Sequence, residues 1–357
     1  MDLLKEKYET DKKTWDECAE TYERQIVGGH PDILAFEEFE EDLLDRLLRH
    51  LSLKQDKPIK LMDIGCGSGR LHIRYGAKTK SIAELPITHP LVNFKDGNSK
   101  LAFDPDLAKA LNEVWGIDFS QNMIDLAENK LVETGLRFHP GIELTFEQGS
   151  AFQLSEQPGS VLPLAICLVN SIGVMQGSEG ANALFSSMRR AVEKAGGIAI
   201  ISCYQGEYID SYALGQYEST MDVSGQPAWM SPDTYASPEF KKVPRQYKLA
   251  HSNDSGLVVD VFDMNDNLIE KGYKLTRDKD KTAKTIQTGD INTHSNYKSH
   301  WYSYNEIEQL IKEHWSGSHS YHIKTQDLDM LRAEPAQLAI LDCSGHFGSI
   351  FKRWKVL

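Results

Sequence analysis

Eight residues, Asp63-Ile-Gly-Cys-Gly-Ser-Gly-Arg70, set an acid, three glycines at alternate positions and a base at the end of a largely apolar segment, 59–64. Glycines so spaced let the chain bend sharply and let backbone N–H groups approach a ligand with no Cβ in the way. The spacing is G-x-G-x-G, with Arg70 next, and not the G-x-G-x-x-G that cradles a dinucleotide pyrophosphate. An acid two places before the first glycine repels phosphate and suits a ligand that carries an ammonium. A second acid, Asp118, ends another apolar run, Val114-Trp-Gly-Ile-Asp118.

These two stretches carry a resemblance. Asp63 to Gly69 resembles the first motif of the class I S-adenosylmethionine (SAM)-dependent methyltransferases. Val114 to Ala127, with Asp118-Phe119-Ser-Gln-Asn-Met123 at its centre, resembles their second. SAM has an ammonium and no phosphate. The resemblance implies an α/β fold, a Rossmann-like seven-stranded methyltransferase sheet with helices on both faces, and SAM as cofactor. It assigns Asp63, Gly65 and Gly67 to the methionine moiety and Asp118 to the ribose. Cys66, Phe119 and Ser171 join the cofactor set, and Asn170 falls on the methyl side. Where the family often carries an acid for the adenine amino group, this chain has Ser150. Adenine recognition then passes to Ser150, the backbone of Ala151 and the ring of Phe152, whose competing role is plain core. The Asn170-Ser-Ile-Gly173 tetrad resembles glycine- and small-amine N-methyltransferases.

The elements that must hold these residues read as an alternating βα series. The strands are expected at 59–64, 114–118, 142–147, 164–169 and 198–203, with helices from Arg70, over 120–131 with Ser120 as N-cap, and over 180–194. The continuous apolar run 164–169 suits a central parallel strand, which leaves Asn170 and Ser171 at its carboxyl end, where ligands of such sheets bind. Asp63 and Asp118 lie 55 residues apart, against the roughly twenty usual between glycine loop and ribose acid. The excess is read as an insertion at about 78–105, ahead of a short helix, 106–111.

Four regions follow: an N-terminal helical lid, 1–57; the SAM-binding core, 58–204; an inserted substrate-cover subdomain, 205–299, with a small antiparallel sheet; and a return to the core, 300–357. In the first, Ile33, Leu34, Phe36, Phe39, Leu43, Leu44, Leu47 and Leu48 recur at helical spacing, and Glu37, Glu38, Glu40 and Glu41 are read as its solvated face. Tyr22, Arg24 and His30 precede this helix and are lid candidates. In the third, 257–262 and 268–276 flank a hairpin turn, and Tyr204 at its border with Tyr208, Tyr212, Tyr217, Trp229 and Tyr235 within it offer either a cation–π box or a subdomain core. In the last, Ser303 and Glu306 form a capping box, and 321–325 with 338–342 form an antiparallel pair at the sheet edge.

A formal net charge of −13 demotes a nucleic-acid backbone as partner. Five scattered cysteines without C-x-x-C pairs, and a charged N-terminus without a signal h-region, fit a reduced cytoplasmic protein. No apolar run reaches the length of a membrane span. His294, His300, His314, His319 and His322 lack tight metal-ligand spacing, so no metal is expected. The partner is a small molecule, and the sequence leaves oligomeric state open. The reading is methyl transfer from SAM to a small acceptor, nitrogen first, by in-line displacement. Tyr22, His30 and Asn170 are the catalytic candidates, with Tyr204 and His300 as further possible bases. The alternatives are an O-methyltransferase, a protein methyltransferase, a nicotinamide-dependent oxidoreductase and a non-catalytic SAM-binding module.

Overall fold

The computed structural model describes residues 12–13, 15–16, 19, 31–54, 56–77, 110–133, 137–206, 245–253, 256–263, 268–277, 284–289, 296–316, 319–324, 336–345 and 348, with backbone alone at 31–38 and 245–301. Helix α1 (Pro31–Lys54) leads into strand β1 (Ile59–Ile64) and helix α2 (Arg70–Gly76). Strand β2 (Leu111–Asp118), helix α3 (Gln121–Glu133) and strand β3 (Glu143–Gln148) follow. Strand β4 (Leu162–Cys167), helix α4 (Gly177–Val192) and strand β5 (Ile198–Tyr204) complete the alternation.

The insertion carries strands β6 (Arg245–Asn253), β7 (Gly256–Asp263), β8 (Leu268–Arg277), β9 (Lys284–Gly289) and β10 (Asn296–Trp301). The chain returns through helix α5 (Tyr304–His314) to strands β11 (His319–Lys324) and β12 (Ala336–Asp342).

The main sheet has seven strands in the order β11-β12-β5-β4-β1-β2-β3. Strands β1 to β5 are parallel, and β12 pairs antiparallel with both β5 and β11. This is the Rossmann-like methyltransferase sheet expected from the motifs. Chain order runs outward from β1 through β2 and β3, then resumes on the other flank with β4 and β5. The crevice beyond the carboxyl ends of β1 and β4 is therefore a topological switch point, where ligands of such sheets sit.

Strand side chains alternate between two buried layers. Ile59, Leu61, Leu164, Ile166, Ile198, Ile200, Leu338 and Ile340 pack with Phe39, Leu43, Leu44, Leu47, Leu48 and Leu51 of α1. Met62, Ile64, Ala165, Cys167, Ala199, Ile201 and Leu341 pack with Leu184, Phe185 and Met188 of α4 and Ile307 and Leu310 of α5. The second half of α1 is thus part of the core on one face of the sheet, where the sequence pointed to a cover.

The second sheet is an antiparallel meander in the order β10-β9-β8-β7-β6. It contains the β7–β8 hairpin read from the sequence, and β10 runs alongside the Ser171–Val174 turn. The Ser303–Glu306 capping box forms in full at the start of α5.

Several boundaries move. Leu111 opens β2 and does not close a helix, because Ile59 pairs with it across the ladder. Strand β4 starts at Leu162 and stops at Cys167, since Val169 and Asn170 both turn into left-handed backbone, at φ 50° and 56°. Glu40 does not lie on a solvated face: it is fully buried. Its place on the helix, three and four residues before Leu43 and Leu44, puts it on the apolar stripe. Glu41 is half-buried and paired to two arginines. The 78–105 insertion, Tyr22, Arg24, His30 and the aromatic residues between 208 and 235 lie outside the described residues.

Candidate functional site

Strand β1 ends in Asp63 and Ile64, and the chain then turns through Gly65, Gly67 and Gly69 at φ 76°, 50° and 77°. Left-handed backbone of this kind strains any residue with a Cβ. At Gly65 space is also short, because a Cβ there would come 3.1 Å from the Cβ of Ser171. The glycine loop and the turn after β4 are thus brought into contact. The loop is anchored from below: Gly65 N–H and Cys66 N–H both donate to the Ile117 carbonyl at the end of β2, at 2.8 and 3.2 Å. In front of Gly67 a Cβ would meet no atom of the described residues within 4 Å, so among these residues the loop's outer side is open.

Asp118 ends β2 beside this loop. One carboxylate oxygen accepts Gly67 N–H at 3.0 Å, and the other accepts Ser120 N–H at 2.9 Å. Ser120 caps α3 as its sequence position indicated, its hydroxyl accepting Met123 N–H at 3.2 Å. Both acids are buried. Burial raises the Asp63 carboxyl to about 7; Arg70 pulls it down and Asp118 pushes it further up. Burial likewise raises Asp118 to about 6, against the hydrogen bonds from Ser120 and Gly67. Burial and the two neighbouring carboxylates keep the Cys66 thiol protonated. The result is two buried acids with, among the described residues, only Arg70 opposing the rise at Asp63; a ligand bearing positive charge would add to that compensation.

The other sequence-predicted residues gather at the same edge of the sheet. Ser150 caps a short 3₁₀ turn, Ala151–Gln153, by accepting Phe152 N–H at 3.3 Å. Its oxygen therefore serves the backbone, while Ala151 and Phe152 are half-buried against the α4 layer. Gly149 N–H donates to the Asp118 carbonyl at 2.9 Å and brings this turn beside the second acid. Asn170 is buried, and its side-chain oxygen accepts Tyr204 N–H from β5 at 3.2 Å. Ser171 opens the 3₁₀ turn that faces Gly65. Phe119 is half-buried and packs with Trp15, Ala19 and Met123.

Asp63, Gly65, Cys66, Gly67, Asp118, Phe119, Ser150, Ala151, Phe152, Asn170 and Ser171 therefore all lie at or just beyond the carboxyl ends of the neighbouring strands β1, β2, β3 and β4. Tyr22 and His30 fall outside the described residues, and for His300 only the backbone, on β10, is described. Among the described residues no group of histidine, cysteine, aspartate or glutamate is arranged to hold a metal ion. His314 and His322 instead bond to Asn182 and Gln337, each at 2.8 Å.

Two acids were missed from the sequence. Asp16 bonds the Ser120 hydroxyl at 2.6 Å and Asn122 N–H at 3.3 Å, while Trp15 buries itself against Met123. An N-terminal segment is thus strapped over the start of α3, beside Asp118. Nothing in the local pattern distinguishes Asp16 from the charged residues around it. Glu40 is the second, and its signal was its position on the apolar stripe of α1. Beside it, Glu41 and Asp45 on α1 face Arg70 and Arg74 on α2, with N–O distances of 2.6 to 2.9 Å. Both pairs are spaced four residues apart, one helical turn, so the two helices zip together along one face.

No protein-family model and no curated protein matches the chain. Among solved structures, the CcbJ methyltransferase from Streptomyces caelestis is similar at 12% identity and a TM-score of 0.44, covering 92% of this chain and 97% of that one. A SAM-dependent methyltransferase from Clostridium acetobutylicum is similar at 11% identity and 0.44, over 93% and 99%. The SAM-bound magnesium protoporphyrin IX methyltransferase from Synechocystis is similar at 19% and 0.37, over 57% and 77%. Likeness at this distance bears on neither activity nor substrate. No helix among the described residues is long and apolar enough to cross a membrane.

Proposed function

We propose that the protein is a SAM-dependent methyltransferase that acts on a small-molecule acceptor through a nitrogen nucleophile. The observation that carries this reading is the pair of buried acids, Asp63 and Asp118, set on either side of a left-handed glycine loop at the switch point of the sheet.

The residues present fit SAM. Asp63, raised to about 7 by burial, favours a neighbouring cation, and the ligand's ammonium is one. The space that the described residues leave in front of Gly67 would admit a ligand against the loop backbone. Asp118, already held by two N–H groups, is oriented to accept from ribose hydroxyls. Phe152 and the backbone of Ala151 border the adenine end. When bound, SAM supplies an electrophilic methyl group on a sulfonium.

The protein's own task is alignment and exclusion of water. Holding nucleophile and methyl carbon at close range removes most of the entropic barrier. The glycine loop and Ser171 fix the methionine end, and Asn170 sits on the acceptor side. Tyr22 and His30, from the N-terminal segment, are proposed to border the acceptor there. A free amine must reach the site unprotonated, so a base serves only an acceptor that arrives charged.

Calorimetric titration with SAM, S-adenosylhomocysteine and NAD tests the reading. Binding of the two adenosyl sulfur ligands without NAD is the expected result. Binding of NAD alone would sink it in favour of hydride transfer, and binding of none would remove the cofactor assignment altogether.

A further inference from the structure

Helix α1 delivers one carboxylate into the molecule that the cofactor assignment does not use. Glu40 is fully buried. Its Oε1 accepts Val169 N–H at 2.8 Å and the Ser202 hydroxyl. Its Oε2 lies 3.6 Å from the Arg70 guanidinium. The three partners come from the turn after β4, from β5, and from the first residue of α2 behind the glycine loop.

The Val169 bond is informative because of where the backbone is. Val169 is β-branched and stands at φ 50°, followed by Asn170 at φ 56°. A β-branched residue in left-handed backbone persists only when its surroundings over-determine it. A carboxylate accepting a backbone N–H makes a hydrogen bond of the strong, charge-assisted kind. The turn it secures decides two things. Asn170 reaches Tyr204 N–H with its side-chain oxygen, and Ser171 comes up against Gly65.

We propose that Glu40 is a positioning residue: it locks Val169 and Asn170 into left-handed backbone, so that Asn170 faces the acceptor side, and through Arg70 it ties that turn to the glycine loop. The part that concerns Asn170 rests on the methyl-transfer reading; the part that concerns the turn does not.

Amide hydrogen exchange of the peptides covering 168–172 and 59–64, together with calorimetric titration of SAM, tests the proposal on Glu40→Gln, Glu40→Asp and Glu40→Ala. Glutamine keeps an oxygen opposite Val169 and Ser202. It should retain local protection and hold SAM affinity within about threefold of wild type. Aspartate keeps the charge but is one methylene short. It should speed exchange at 168–172 about tenfold, leave 59–64 unchanged, and weaken SAM by about tenfold. Alanine should do the same or more; should it fail to fold, the aspartate variant decides.

Unchanged exchange at 168–172 in Glu40→Asp would overturn the proposal. So would exchange that rises equally in both peptides, since that is the mark of general destabilisation. A wild type that binds no SAM, with the turn still released in Glu40→Asp, would overturn the methyl-transfer reading and keep Glu40 as the lock on the turn.

Discussion

The chemistry of the site follows from what burial does to Asp63. Its carboxyl titrates at about 7 in the fold against an ordinary value of 3.8. The proton is therefore held more tightly in the folded chain, and the stability this group contributes is fully present below about 4 and lost as pH rises through about 7. Above that pH the SAM-free protein carries an unfavourable buried charge. Asp63→Asn should raise its unfolding free energy at about pH 8, by on the order of a few kcal/mol in a denaturant titration, and the gain should shrink by about pH 5. His72, lowered to about 4 by burial, titrates alike in both proteins and cancels from that comparison. The same substitution should abolish SAM binding. Wild-type affinity for this cation should grow as pH rises through about 6 and 7, where Asp118 and Asp63 ionise, and calorimetry over that range reads it. Asp118→Ala should keep the fold and weaken SAM by about a hundredfold, as two hydrogen bonds to a charged group are lost. Retained affinity would move the ribose contact elsewhere.

At the scale of elements, the site depends on contacts between neighbours in space. A Cβ on Gly116 in β2 would come 2.6 Å from His72 Cε1 and 2.8 Å from Cys66 Sγ. Gly116→Ala should therefore overpack the join between α2 and the glycine loop, costing about 1–3 kcal/mol in a denaturant titration. It should also weaken SAM, because Cys66 sits in the loop. At the other end of the chain, the Ser303 hydroxyl accepts Glu306 N–H at the start of α5, and the Glu306 carboxylate accepts Ser303 N–H in return. Ser303→Ala should lower stability by about 1 kcal/mol while leaving SAM affinity unchanged. Asp16 is a tertiary cap: it reaches α3 from outside the helix. Asp16→Ala should loosen the strap without unfolding the sheet, and protease sensitivity confined to the N-terminal segment would report it.

At the scale of the whole molecule, the reversal of strand order between β1 and β4 sets the carboxyl ends of four neighbouring strands, and the residues that follow them, along one edge of the sheet. Much of this was legible in the chain. The glycine spacing, the acid ahead of it, the second strand with Asp118, the cap at Ser120 and the box at Ser303 each rest on interactions within a few residues. Backbone sterics and helix-end hydrogen bonding act over that range whatever the rest of the fold does. The end of β4 was misread because an apolar run does not reveal that Val169 turns left-handed; the partner that holds it there is Glu40, 129 residues earlier. Glu40 was assigned to water for the same reason. A carboxylate on a helix reads as solvated until its acceptors' partners are known, and Val169, Ser202 and Arg70 meet it only when α1 packs against the sheet. The sequence by itself determined the glycine turn, the acid ahead of it and the helix caps through local geometry and periodicity, while the fold class and the place of Asp118 beside the loop were what its motif resemblance implied. Tertiary structure alone decided which charges are buried and which turns they hold, because desolvation is a property of the neighbours that packing supplies.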